Sequence, residues 1–169
     1  KVTKEYYIND YGNQIKNFAK SVFLRIREIK YNEKFILKED LYPGEYIIEI
    51  GKKIIDSNKN EKFDNFDESL KLLKKESLKH SMDLIKLDLK KLGIEHDNFF
   101  SETELIENKL VDKAVNHLKK NNYVQEGFLE PPKGEIDKNW KKTKRLIFKS
   151  TLFGDDTDRA MQKNDGSWT

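Results

Sequence analysis

Cysteine is absent from the 169 residues, so there is no disulfide framework, thiol nucleophile or zinc–cysteine site. A cysteine-free chain suits a reducing compartment and is compatible with any other. Long apolar runs are missing too. The longest, such as Tyr46-Ile47-Ile48, are short, flanked by charge and far from the ~18 residues of a membrane span. No signal-peptide pattern is visible. An excess of one charge is also lacking. With 33 Lys and Arg against 30 Asp and Glu, the net charge is +3, which excludes a strongly basic protein that coats DNA by charge alone. The hydrophobic fraction is low at 36% beside 37% charged residues, so the core must be small and the surface heavily charged. Yet 10 Phe, 7 Tyr and 2 Trp are too many aromatics for a disordered polyampholyte. The chain starts at Lys1 rather than Met and stops just after Asp165-Gly166-Ser167-Trp168, so both ends read as cut.

What is there reads first as an α/β pattern. Val2 to Ile8 is β-branched and aromatic, a strand, broken by Asn9-Asp10-Tyr11-Gly12 with Gly12 free to take positive φ. Ile15, Phe18, Ala19, Val22, Phe23, Ile26 and Ile29 then recur at helical spacing. Pro43 fits the first turn of a short helix carrying Tyr46, Ile47, Ile50 and Ile54. A polar loop from Asp56 to Phe63 precedes a long helix, with Asp67 as its cap and Gly93 as its stop. Ile94 to Phe100 is a second strand. Ser101 and Glu104 have capping-box spacing ahead of one helix that carries Leu105 to Leu118 and ends at Asn121-Asn122. Beyond it, Tyr123 to Glu130, Arg145 to Ser150 and Arg159 to Lys163 are short strands of a small β-rich module. Pro131-Pro132-Lys133-Gly134 and Gly154-Asp155-Asp156 break them.

Chemistry-bearing motifs are few. His80, His96 and His117 lack metal-ligand spacing, and Ser101 and Ser150 lack nucleophile-elbow glycines. Neither a Gly-x-Gly-x-x-Gly nor a Gly-Lys-Ser/Thr phosphate loop occurs. The most informative stretch is Asn9-Asp10-Tyr11-Gly12-Asn13-Gln14, at the mouth of a strand ahead of a helix. Its amides suit ribose, adenine or an amino-acid ligand, and Asp10 suits an ammonium, a guanidinium or a helix cap. Local turn chemistry explains the same residues. Asn164-Asp165-Gly166-Ser167 reads as a hairpin turn or a second candidate site. The acidic loop Phe153 to Arg159 suits magnesium, or simply a solvated loop with a local Arg159 pair. Lys133, Lys138, Lys141, Lys142, Lys144 and Arg145 surround Trp140, a stretch that suits phosphates or is a solvated face.

In this order the segments resemble the central region of bacterial arginyl-tRNA synthetases, a class I family, with an α-proteobacterial subtype. Val2 to Gln14 is similar to the family's "V-T-R-E-Y-Y-I-N-D-A-G-N-Q", and Leu41 to Tyr46 to its "Y-P-G-E/D-Y" block. Phe128 to Gly134 and Ser150 to Asp156 also match, and Lys163 to Thr169 resembles "K-S-D-G-S/T-x-T". Another class I type, cysteinyl or glutaminyl, fits the Tyr-Tyr-Ile-Asn-Asp and Ser-Thr-Leu-Phe-Gly-Asp-Asp runs less well.

The resemblance implies an α/β fold: part of a class I Rossmann-like nucleotide fold with a helical connective insertion and a small β-rich module. Residues 1–122 would be the partial catalytic core with its helical insertion, and 123–169 the β-rich insertion returning to the core. The parent would activate arginine with ATP and Mg2+ and transfer it to tRNA-Arg, as a cytoplasmic monomer with no membrane or DNA partner. The His-Ile-Gly-His-type motif would lie upstream of Lys1, and the KMSKS-like loop and anticodon-binding domain beyond Thr169. This stretch would then hold no catalytic residue and no metal site, and would be inactive alone. Asn9, Asp10, Gly12 and Gln14 would border the pocket for arginyl-adenylate and the tRNA 3′ end, with Asp165, Gly166 and Thr169 beside it. Tyr11 stands where the family often has Ala, so its side chain is not expected to carry chemistry. The alternative is a non-catalytic RNA-binding or interaction module derived from the same family.

Overall fold

Aromatic and β-branched residues near the start form β1, Glu5–Ile8, in the computed structural model, which describes residues 2–129, 142–163 and 166–168. β1 pairs in parallel with β2, Asn98–Ser101, with Glu5 opposite Asn98 and Ile8 opposite Ser101. Lys4 closes one end of the pair. Its amide donates to the Asp97 carboxylate at 2.7 Å, and its carbonyl accepts from the Asp97 amide at 2.8 Å. Parallel strands require a long crossover. Here it contains three helices: α1, Asn13–Tyr31; α2, Tyr46–Ser57; and α3, Phe66–Lys91.

Two compact units form, Lys1–Glu104 and Leu105–Thr169. The core of the first is the meeting of the three helices. Ala19, Val22, Ile26, Ile47, Ile50, Ile54 and Leu73 are fully buried, each worth roughly 1.5–3 kcal/mol of transfer free energy for the larger side chains. Gly51 lies on the buried face of α2, where an added Cβ would meet Ile26 Cγ1 at 3.4 Å, so the two helices come close. The helical spacing of α1 is obeyed from Ile15 to Ile26, but Ile29 is exposed because the last turn outruns the core.

Several local expectations shift. Pro43 lies upstream of the α2 N-cap, Glu45, rather than in the first turn. The loop before α3 is polar as expected, but Phe63 within it is fully buried with φ 58°. Its carbonyl accepts from Arg27 Nη1 at 3.1 Å, while Lys30 and the Tyr31 hydroxyl donate to the carbonyls of Glu61 and Lys62. The last turns of α1 thereby latch this loop. Asn65, not Asp67, caps α3: its side chain accepts from the amides of Asp67 and Glu68. Phe66 packs edge-on against Phe23 at 5.4 Å, which draws the helix start upstream. Gly93 stops α3 as expected, in a Schellman arrangement. At φ 72° its amide donates to Lys90 O, and the Ile94 amide donates to Leu89 O. The second strand begins only at Asn98.

Instead of one helix after Ser101 there are two, α4, Glu102–Glu107, and α5, Leu110–Lys120, interrupted where Lys109 takes φ 54°. Among its apolar positions only Val115 is buried, so little burial opposes the break. In the second unit Val115 packs with Val124 and Leu146. An antiparallel sheet follows, β3, Val124–Gly127, β4, Arg145–Phe148, and β5, Arg159–Ala160, in that order, with Gln125 opposite Ile147. The expected strands are therefore present but shorter. Pro131-Pro132-Lys133-Gly134 and Trp140 lie outside the described residues. Among the described residues no helix is long and apolar enough to cross a membrane.

Candidate functional site

The turn between β1 and α1 is built by backbone geometry first. Gly12, the α1 N-cap, has φ 85° and ψ −161°, a conformation open essentially to glycine alone. No side chain caps α1, so its first amides face outward. Asp10, for which a charged ligand or a helix cap was open, has the second role at a different helix. Its Oδ1 accepts from the Thr103 amide at 2.9 Å and its Oδ2 from the Ser101 hydroxyl at 2.6 Å. Ser101 Oγ in turn accepts from the Glu104 amide at 3.1 Å, the expected capping contact. Asp10 therefore ties the end of β1 to the start of α4.

Asn9 and Gln14 converge across the same turn, Asn9 Nδ2 donating to Gln14 Oε1 at 3.1 Å. Both are exposed at the rim of a cleft of about 260 Å³. One wall is Phe18, Tyr42 and Tyr46; Leu78, Met82 and Ile85 of α3 line it too. Phe18 meets Tyr42 edge-on at 5.3 Å and Tyr46 in a stacked arrangement at 6.4 Å. Sequence reading placed Tyr42 and Tyr46 in a family block without a role. Two observations explain their position. Ser21, fully buried on α1, accepts from the Tyr42 amide at 2.9 Å while donating to Asn17 O. At Gly44 an added Cβ would lie 2.3 Å from Tyr46 Cε1, so only glycine leaves room for the ring. Burial, with Tyr42 adding to it, pushes the Tyr46 phenol above its ordinary pKa, and burial with Glu102 does the same for Tyr7. Both remain hydroxyl donors at neutral pH.

Gly166 lies in the second unit with φ 82°, where its amide donates to Lys163 O at 3.1 Å. Gln162 bridges to Trp168, and the Lys163 amide donates to Ser167 O, so the chain reverses here as expected for Asp-Gly. Asp165 and Thr169 lie outside the described residues. In the acidic loop Arg159 donates to both oxygens of Asp155, at 2.7 and 2.6 Å. That contact holds the Asp155 carboxyl at about 2. Asp158 accepts from the amide and hydroxyl of Thr151. No cluster of three His, Asp or Glu able to hold a metal occurs among the described residues. Of the basic stretch, Lys144 pairs with Glu126 at 2.6 Å and Arg145 donates to Thr143. His96 packs on Tyr6 and Phe99, and His80 faces Glu76 at 4.0 Å.

No family model matches the chain. It is 56% identical over 169 residues to an arginine–tRNA ligase of Pelagibacter ubique and 46% identical to one of Ehrlichia chaffeensis, in each case over 99% of this chain. A crystal structure from Campylobacter jejuni, described as an arginyl-tRNA synthetase, superposes with a TM-score of 0.73 and 27% identity over 99% of this chain. The chain spans 29% of the length of those curated relatives and 33% of the crystallised chain. In sequence and in fold, this chain belongs to the arginine–tRNA ligase family and corresponds to a fragment of such a ligase.

Proposed function

We propose that the protein carrying this chain activates arginine with ATP and transfers it to tRNA-Arg, and that this stretch contributes a border of the substrate pocket. The observation that carries the reading is identity of 56% along 169 aligned residues, far more than one shared motif would give. The first step of such a reaction is attack of the arginine carboxylate on the α-phosphate, driven mainly by positioning and charge stabilisation. Mg2+ would enter with the ATP phosphates, since no ligand cluster for it exists among the described residues.

Within the border, Asn9 and Gln14 present amides, Gly12 gives the open helix start, and Asp10 holds the turn through Ser101 and Thr103. Gly166, with Asp165 and Thr169, is assigned to the same border by family resemblance. The cytoplasm, and action as a monomer, follow from the same reading. The non-catalytic alternative is less well supported: the basic stretch that favoured it is partly neutralised where it is described, by the Lys144–Glu126 pair.

The test is arginine-dependent ATP–pyrophosphate exchange with tRNA present. The longer protein should exchange with arginine alone among the amino acids. The 169-residue chain by itself should not exchange, and exchange by it would remove the claim that it is only a contributor.

A further inference from the structure

The geometry points to the cleft between Asn9, Gln14 and the Tyr42–Tyr46 wall as a binding site for a single adenine ring. This rests on the reading of Asn9–Gln14 as a pocket border and adds a wall and a ligand class to it. Size comes first. At about 260 Å³ the cleft falls below the ~300–1,000 Å³ of pockets for drug-sized ligands, so it suits one flat ring system rather than a whole aminoacyl nucleotide. Shape comes second. Tyr42, Tyr46 and Phe18 form an aromatic wall, and Met82 supplies a polarisable side chain to the lining. Aromatic walls of this kind take bases freed from stacking.

The polar edge then selects. The Asn9–Gln14 hydrogen bond uses one donor and one acceptor of the two amides. It leaves Asn9 Oδ1 as an acceptor and Gln14 Nε2 as a donor. Reversing both amides leaves the same pattern, one donor beside one acceptor. The adenine edge presents the complement, an N6 amino donor beside a ring-nitrogen acceptor, which is the pairing that Asn and Gln make with adenine. The rim carries no formal charge of its own, so a neutral base edge suits it better than a phosphate or a guanidinium. Ser21 and Gly44 are the positioning residues, since one anchors Tyr42 and the other leaves space for the Tyr46 ring.

Adenine reaches such a site either on a free nucleotide or at the 3′ end of an RNA. Equilibrium dialysis of labelled adenosine, cytidine and uridine against the chain measures the site directly. Adenosine should be retained at least about fivefold over the pyrimidines. Tyr46→Leu should cut its retention about tenfold, within the range for loss of one stacking side chain. Tyr46→Phe should stay within twofold, and Gln14→Leu should erase the preference for adenosine. Tighter retention of AMP than of a short RNA ending in adenosine would assign the site to free nucleotide, and the reverse order to an RNA end. Equal retention of all nucleosides, or no effect of Tyr46→Leu in a chain with unchanged helical circular dichroism, would overturn the inference. Arginylation by the longer protein without adenosine retention would remove this inference alone. Retention without arginylation would remove the proposed function alone.

Discussion

Gly12 and Gly44 are glycine for different physical reasons, and substitution separates them. At Gly12 an added Cβ meets nothing within 4 Å, so Gly12→Ala is strained only in its backbone, at a cost of about 1–3 kcal/mol. Urea unfolding should show that loss. At Gly44 the clash is with the Tyr46 ring, which can turn away. Gly44→Ala should therefore alter stability little while shifting the Tyr46 ring resonances. A third residue-scale prediction concerns pH. Arg159 holds the Asp155 carboxyl at about 2, below its ordinary 3.8. A depressed carboxylate stabilises the fold above pH 4, and that contribution disappears as pH falls from 4 towards 2. Arg159→Leu should return the Asp155 carboxyl to its ordinary range in an NMR titration and flatten that part of the stability profile.

At the scale of elements, caps and breaks carry the differences between expectation and structure. Asn65→Ala should cost about 1 kcal/mol of unfolding free energy. Asp67→Ala should cost less, since Asp67 acts only through the charge at the helix start. Helical periodicity placed α1, α2 and α3 to within a few residues because each buries a stripe against the other two. The cap of α3 was not legible, because Phe66 meets Phe23 only once the chain is folded. The break at Lys109 was not legible for the opposite reason. The apolar spacing from Leu105 to Leu118 is helical, but the structure buries only Val115 there. Likewise Asn9 and Gln14 stood out as polar residues at a strand mouth. Ser21, which positions Tyr42 across the crossover, is an ordinary serine in sequence. Asp10→Ala should loosen α4, and the Thr103 amide should exchange with solvent much faster than in the parent chain.

For the whole molecule, the low hydrophobic fraction becomes a statement about surfaces. The three-helix core is fully buried, yet Val2, Ile36, Leu37, Leu92, Leu152 and Phe153 are each more than half exposed. The β1–β2 pair has only two strands, so both outer edges have unpaired backbone groups. Such edges and apolar surface favour association. The chain by itself should melt broadly or self-associate in analytical ultracentrifugation, and a sharp two-state melt of a monomer would count against that. The relatives are more than three times as long, and within them these surfaces have further chain to meet.

The most direct test of the account is arginylation of tRNA-Arg by the longer protein, compared with a variant carrying Asn9→Ala and Gln14→Leu. Both residues are exposed, so the variant should melt at the parent temperature. If these amides border the substrate pocket, kcat/KM should fall at least tenfold, a loss of about 1.4 kcal/mol of transition-state stabilisation. A value within twofold of the parent, in a protein that arginylates tRNA, would contradict the placement of the Asn9–Gln14 turn at the site.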